Sequence, residues 1–234
     1  MSTTAVIIQP HFLPWRGYFD LFSRGNHAIY LDNVQYVRRS WGNRNKIFQN
    51  NNSKWITVPV QTKGSYRANI DSIKINDSEP WRKSLLSAVR HAYSKAPFFQ
   101  PYFDEFEKLI SREWDLLSDL NIAAIEWGFQ TLNRPMTLVR ASNLDLKCAE
   151  PVGRLIEICQ IVGANKYISG PSAKDYIGEG DAFKDQNIEL EWMEYDYSPY
   201  PHFKMEGGQC KVPFSIIDLI FNVGPDAESY IWPR

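Results

Sequence analysis

The opening of this chain constrains it more than any other stretch. A short β-branched run, Ala5-Val6-Ile7-Ile8-Gln9, leads through a proline-bounded loop, Pro10 to Arg16, into a helical pattern from Gly17 through Phe22 that stops near Gly25. A second apolar run, His27-Ala28-Ile29-Tyr30-Leu31, follows and ends in Asp32-Asn33. Short, continuously apolar runs suit strands buried on both faces, as in parallel sheets. Parallel neighbours need a crossover, and the helix between the two runs supplies one. The opening therefore predicts a strand–loop–helix–strand unit of an α/β sheet.

Further along, Trp55-Ile56-Thr57-Val58-Pro59-Val60 reads as a third strand, and Ile70, Ile73 and Ile75 mark a fourth. Between Ser78 and Asn133 the spacing turns helical. One helix starts at Ser78 and Pro80, a second opens at Pro101, and a third runs from about Leu116 to Leu132. Strand and helix then alternate again: a strand over 136–139, a helix over 151–162 closed by Gly163, and the strand Lys166-Tyr167-Ile168. A short helix after Ser172, an alternating strand over 188–193 and a last helix over 215–221 closed by Gly224 complete the pattern. The expectation is one α/β domain over 1–234, built on a mainly parallel, doubly wound (Rossmann-like or HUP-like) sheet, with 78–133 as a helical insert or subdomain.

A net charge of −1 in 234 residues argues against a broad nucleic-acid face but leaves room for a local basic pocket. Cys148, Cys159 and Cys210 are odd in number and lack metal-ligand spacing, which suits free thiols in a reducing compartment. The N-terminus lacks the charged-then-apolar layout of a signal peptide, and no run approaches 18 apolar residues. These features predict a cytoplasmic protein without a membrane span. Its 8 Trp and 12 Tyr provide rings for core packing and for half-apolar ligands such as sugars and bases.

In doubly wound sheets ligands bind at the carboxyl ends of the strands, so the loop after the first strand is the first candidate. It carries Gln9, His11, Trp15, Arg16, Gly17 and Tyr18. Gly17 permits close approach of a ligand to the helix N-terminus, where His11 and free N–H groups would receive an anion. The alternative is a rigid βα loop with a core Trp and a capping His. After the second strand comes Asp32, then a segment in which Arg38, Arg39, Arg44 and Lys46 alternate with Tyr36, Trp41, Asn43 and Asn45. Arg forks and a Lys charge suit phosphate or carboxylate, and Asn suits sugar hydroxyls; a solvated loop is the competing account. Ser169-Gly170-Pro171-Ser172-Ala173-Lys174 offers hydroxyls, backbone N–H groups and a cation to an anion, or simply turn and cap chemistry. Asp196, Tyr197, Tyr200 and His202 form a polar aromatic loop, either a pocket cover or plain surface. No Walker A, G-x-G-x-x-G, H-E-x-x-H or G-x-S-x-G motif is present, and the four His and three Cys show no zinc spacing.

The blocks Ile8-Gln9-Pro10-His11-Phe12-Leu13-Pro14-Trp15-Arg16-Gly17-Tyr18-Phe19-Asp20, Leu31-Asp32-Asn33-Val34-Gln35-Tyr36 and Arg39-Ser40-Trp41-Gly42-Asn43-Arg44-Asn45-Lys46 resemble the opening of the WbqC-like family. Tyr167-Ile168-Ser169-Gly170 and the run from Phe214 to Gly224 resemble its remaining signatures. The resemblance spans nearly the whole chain and implies a link to bacterial surface polysaccharide, O-antigen included. At fold level, the strand, Pro-rich loop and Gly17-Tyr18 helix start also resemble the nucleotidylyltransferase and pantothenate-synthetase superfamily, with Trp15-Arg16-Gly17-Tyr18 where that group carries His-x-Gly-His. Ser169 to Lys174 resembles its second, Ser-rich phosphate motif. Together these resemblances imply a transferase or ligase of sugar modification, with nucleotide-dependent acyl or aminoacyl transfer to an amino sugar as the most concrete form. ATP and Mg2+ would be the cofactors, and a phosphorylated small molecule or nucleotide-sugar the substrate. His11, Asp32, Arg44 and Lys46 would serve catalysis, and Gln9, Trp15, Arg16, Gly17, Tyr18, Arg39, Asn43, Ser169, Gly170, Ser172 and Lys174 binding. A transferase using a preactivated donor without ATP, and a non-catalytic nucleotide-sugar or glycan-binding module, are the alternatives.

Overall fold

The computed structural model describes residues 2–61 and 67–232. In chain order the elements are β1 (Thr4–Ile8), α1 (Arg16–Ser23), β2 (His27–Tyr30), β3 (Arg44–Gln49), β4 (Asn52–Thr57), α2 (Trp81–Tyr93), α3 (Phe99–Ser111) and α4 (Leu117–Thr131). They continue with β5 (Leu138–Arg140), α5 (Pro151–Ile161), β6 (Lys166–Ser169), α6 (Lys174–Ile177), α7 (Asp181–Lys184), β7 (Glu189–Trp192), β8 (Tyr200–Pro201), β9 (Gln209–Cys210) and α8 (Ile216–Val223). The chain divides into two compact units: Met1–Gln9, Gly17–Asn33 and Met136–Asp196 in one, and Pro10–Arg16, Val34–Pro135 and Tyr197–Arg234 in the other.

The first unit holds a five-stranded sheet in the order β5-β2-β1-β6-β7. Every neighbouring pair in it is parallel. The chain builds outward from β1 on one side and then returns to its other side, which is the doubly wound Rossmann-like arrangement, with the order reversing between β1 and β6. Alternation along the strands explains the packing. Ala5, Ile7, Ile29 and Tyr167 belong to one apolar cluster with Leu155, Ile158 and Cys159 of α5 and with Ile177, Phe183 and Ile188. Tyr30, the neighbour of Ile29 and so on the opposite face, meets Phe22 of α1 edge-on at 5.3 Å between ring centroids. Helices thus cover both faces, as buried parallel strands require.

The second unit contains α2, α3 and α4 of the anticipated helical segment, together with the β3–β4 hairpin and α8. Its core is aromatic: Phe99 stacks on Phe103 at 4.4 Å, and Phe221 of α8 lies 5.2 Å from Phe99 and 5.5 Å from Tyr93. Gly224 ends α8 at φ +63°, and a Cβ there would stand 2.3 Å from the Phe98 ring, so only glycine fits.

The strand anticipated over 55–60 stops at Thr57, and it pairs in an antiparallel two-stranded ribbon with β3. Pro59 lacks the N–H needed to continue it. Asn50 and Asn51, at φ +52° and +57°, form the two-residue turn, a geometry matched to the twist of a hairpin. The fourth anticipated strand is instead a 3-10 turn at Ile70–Ser72 followed by an isolated bridge between Val60 and Ile75.

Candidate functional site

The basic segment is pinned by the hairpin. Register pairs Arg44 with Thr57 and Lys46 with Trp55, which places these four side chains on one face of the ribbon. The opposite face carries Asn45, Ile47 and Ile56, all buried. On the outward face the Arg44 guanidinium carbon lies 4.1 Å from the centroid of Trp55, and Lys46 Nζ lies 5.0 Å from it. Trp41 stands 5.2 Å from Trp55, tilted by 41°. The two indoles are 44% and 39% exposed, so the ring surface is open to solvent rather than consumed in the core. Among the described residues, Arg38, Arg39, Arg44 and Lys46 form no ion pair. Tyr36 lies against this segment with a buried hydroxyl that has no hydrogen-bond partner among the described residues. Burial pushes its pKa up to about 12, against the opposing pull of Arg38 and Arg44.

The loop bearing His11 is fastened to the same unit by backbone and amide contacts. Phe12 N donates to Trp41 O at 2.9 Å. Asn45 Nδ2 donates to the carbonyls of Phe12 and Leu13 at 3.1 and 2.8 Å. Asn121 Nδ2, from α4, donates to Pro10 O at 2.9 Å and to Gly42 O at 2.7 Å. The residues on either side of His11 are therefore held. Burial lowers the His11 pKa to about 4, so at neutral pH the ring is uncharged and works as a proton acceptor or neutral donor. Asn43 Nδ2 is spent on Val58 O at 2.9 Å.

The other expected site residues have definite positions. Arg16 is buried, donates from Nη1 to Ser198 O and Tyr230 O at 2.9 and 3.1 Å, and lies over the rings of Tyr197 and Tyr200. Desolvation lowers its pKa. Trp15 meets Tyr197 edge-on at 5.8 Å. Arg39 is exposed, at φ +56°. All of these share the second unit with His11, Asn43, Arg44 and Lys46.

The rest belong to the first unit. Tyr18 is buried beside Gly17 and donates its hydroxyl to Gln9 O at 2.9 Å. Asp32, fully buried, accepts from Ser142 N at 2.9 Å through Oδ1 and from Ser142 Oγ at 2.8 Å through Oδ2. Ser169 is buried at the end of β6, where Tyr167 donates to its Oγ at 3.1 Å. Gly170 leads into a 3-10 turn at Pro171–Ala173 and then the single helical turn of α6. Ser172 is exposed, and Lys174 Nζ lies 5.5 Å from the Trp192 ring. Among the described residues no group of three His, Cys, Asp or Glu side chains is placed to hold a metal ion, and no helix is long and apolar enough to cross a membrane.

Sequence reasoning passed over Asn121 and Ser118, buried polar positions inside an otherwise apolar α4 pattern. It also passed over Trp55 as a site residue, since a Trp within an apolar run reads as core. The one available signal was polar residues on a helical face that should be apolar.

Fold and site together define an α/β protein with a Rossmann-like unit and a second, largely helical unit that carries a basic, tryptophan-bearing hairpin. The chain belongs to the WbqC-like protein family, whose match covers residues 9–230. It is similar to the uncharacterized protein Rv1507c of Mycobacterium tuberculosis, 35% identical over 226 residues that make up 96% of each chain. No solved structure matches it.

Proposed function

We propose that this protein is a transferase or ligase that modifies a phosphorylated or nucleotide-linked sugar, in keeping with the polysaccharide-related role with which WbqC-like membership is consistent. Its most concrete form is acyl or aminoacyl transfer to a sugar amine. The observation that carries this reading is the outward face of the hairpin, where Arg44 and Lys46 lie over the exposed Trp55 beside Trp41. An aromatic face suits the C–H side of a sugar ring or a base, and adjacent cations suit its phosphate.

In the transfer step the amine nitrogen attacks the carbonyl carbon of an activated acyl group and forms the N–C bond. The carbonyl–oxygen bond to the phosphate leaving group breaks, and its electron pair departs on that oxygen. The proton released from nitrogen passes to the neutral His11 imidazole, a base of suitable charge state. Arg44 and Lys46 hold the phosphate of the acceptor sugar and so position its amine for this attack.

Two features favour a preactivated acyl donor over ATP with Mg2+. Asp32 is fully buried with both oxygens bonded to Ser142, which suits a carboxylate that fixes the chain rather than one presented to a metal ion. The segment after Gly170 begins with Pro171, which has no N–H, and α6 is a single turn, too short to supply an extended anion-binding terminus. Calorimetric titration with glucosamine 1-phosphate and a nucleotide-sugar tests the reading. Binding that weakens in the Arg44→Ala variant is expected, and no binding of any sugar phosphate would refute it.

A further inference from the structure

Seven buried side-chain polar atoms of the second unit have no hydrogen-bond partner among the described residues, and three of them, Asn43 Oδ1, Asn121 Oδ1 and Ser118 Oγ, belong to one frame. The three residues are 7% exposed or less. Nearly all buried polar atoms in folded proteins are paired, so three attached to one small frame call for an explanation. The frame is explicit. Asn121 bridges Pro10 and Gly42, Asn43 is the residue after Gly42, His11 is the residue after Pro10, and Ser118 shares a helical face with Asn121 at i, i+3. The chemical sense of both amides is also set. Asn43 Nδ2 is spent on Val58 O, and Asn121 Nδ2 on the Pro10 and Gly42 carbonyls. Each remaining oxygen can therefore only accept a hydrogen bond.

We infer that Asn43, Asn121 and Ser118 form a seat for a hydrogen-bond-donating group of the acceptor, a primary amine carried on a sugar, an assignment that rests on the sugar-modifying reading above. Two fixed carbonyl oxygens repel a phosphate or a carboxylate. A hydroxyl group brings one hydrogen to the two acceptor-only amide oxygens, whereas an amine brings one for each, and the Ser118 hydroxyl can accept from or donate to the same group. With no carboxylate among them, the seat receives the amine without the strong preference for its protonated form that an ion pair would impose.

The test compares glucosamine 1-phosphate with glucose 1-phosphate, which differ at the 2-amine, by calorimetric titration of the full chain and its Ser118→Ala variant. The amine-bearing sugar should bind the parent protein at least roughly tenfold more tightly. Ser118→Ala removes a hydroxyl that bonds to no described residue, so it should leave the melting temperature unchanged or raised while cutting the preference for the amine severalfold. Equal affinities for the two sugars would overturn the inference and leave the phosphorylated-sugar reading standing. Binding of neither sugar would remove both. A Ser118→Ala variant that melts earlier yet keeps the full amine preference would assign the hydroxyl to packing or bound water and likewise overturn the seat.

Discussion

Tyr93 Oη lies 2.5 Å from Oδ2 of Asp218, a carboxylate with no exposed surface. Tyr200 Oη donates to Oδ1 at 2.5 Å, and His202 Nε2 stands 3.4 Å from Oδ2. His202 Nδ1 accepts from the backbone of Lys204 and Met205, so the imidazole proton belongs on Nε2, toward Asp218. Burial, reinforced by the Asp218 charge, raises both tyrosines well above their ordinary pKa, and they remain donors. Tyr93 also accepts Phe48 N, tying β3 to this carboxylate. Tyr93→Phe should cost about 1.5–3 kcal/mol, the usual value of a hydrogen bond to a charged group. Asp218→Asn should cost more, since its NH2 offers one tyrosine a donor where an acceptor is needed. Urea denaturation measures both, and a loss under about 0.5 kcal/mol for Tyr93→Phe would contradict the assigned network.

The stacked Arg44 makes a second expectation specific. Arg44→Ala should weaken sugar-phosphate binding by about 10- to 150-fold, equivalent to roughly 1.5–3 kcal/mol, with little change in melting temperature. Arg44→Lys should recover part of this, because it restores the charge but not the planar stack on Trp55. Ligand addition should change the tryptophan fluorescence, and Trp55→Phe should remove most of that change. An affinity insensitive to both positions would return the hairpin face to plain solvent exposure.

His11 titrates in the acid range. Its pKa is near 6.5 unfolded and about 4 folded, so the folded state resists protonation. The corresponding stability is fully present above about pH 6.5 and is lost as the pH falls from there through about 4, up to roughly 3 kcal/mol. His11→Asn should flatten that part of the stability profile. Proton NMR of the imidazole should show no titration of His11 between pH 8 and pH 6, and a midpoint near 6.5 would contradict the burial argument.

Asp32 and Ser142 separate the two donor routes. Ser142→Ala removes the Oγ bond and should cost about 1 kcal/mol, while ATP with Mg2+ should leave the melting temperature of the parent protein within about a degree. A clear rise with ATP and Mg2+ that Lys174→Ala abolishes would establish the nucleotide-dependent route instead.

The parallel sheet was legible because β1, β2 and β6 are apolar on both sides and separated by helical or long connections. The strand β3 was hidden because its two faces carry Arg44, Lys46 and Asn45 among the apolar positions, which blurs the period-two signal. Its turn, Asn50-Asn51, lacks the glycine that usually announces a two-residue hairpin. Of the site, the cations of the basic segment could be read directly. The amide roles of Asn43 and Asn121 could not, because they depend on carbonyls of Pro10, Gly42 and Val58 brought in from distant positions. Asp218 was concealed for a similar reason: one acidic residue within Ile216 to Phe221 looks like a helix surface, yet every residue of that helix is buried.

The division of the chain among two units, each assembled from three separate segments, bears on its synthesis. β1 and β2 leave the ribosome well before β5 and β6, the strands that flank them, which emerge only after roughly a hundred intervening residues. At translation rates of about 5–20 residues per second, the first two strands wait on the order of 5–20 s with both lateral edges unpaired. The second unit is also incomplete until its C-terminal segment appears. The first unit has all its segments only at Asp196 and the second only after that, so neither is finished before most of the chain is made, and the unpaired β1–β2 pair is the stretch on which a chaperone would act.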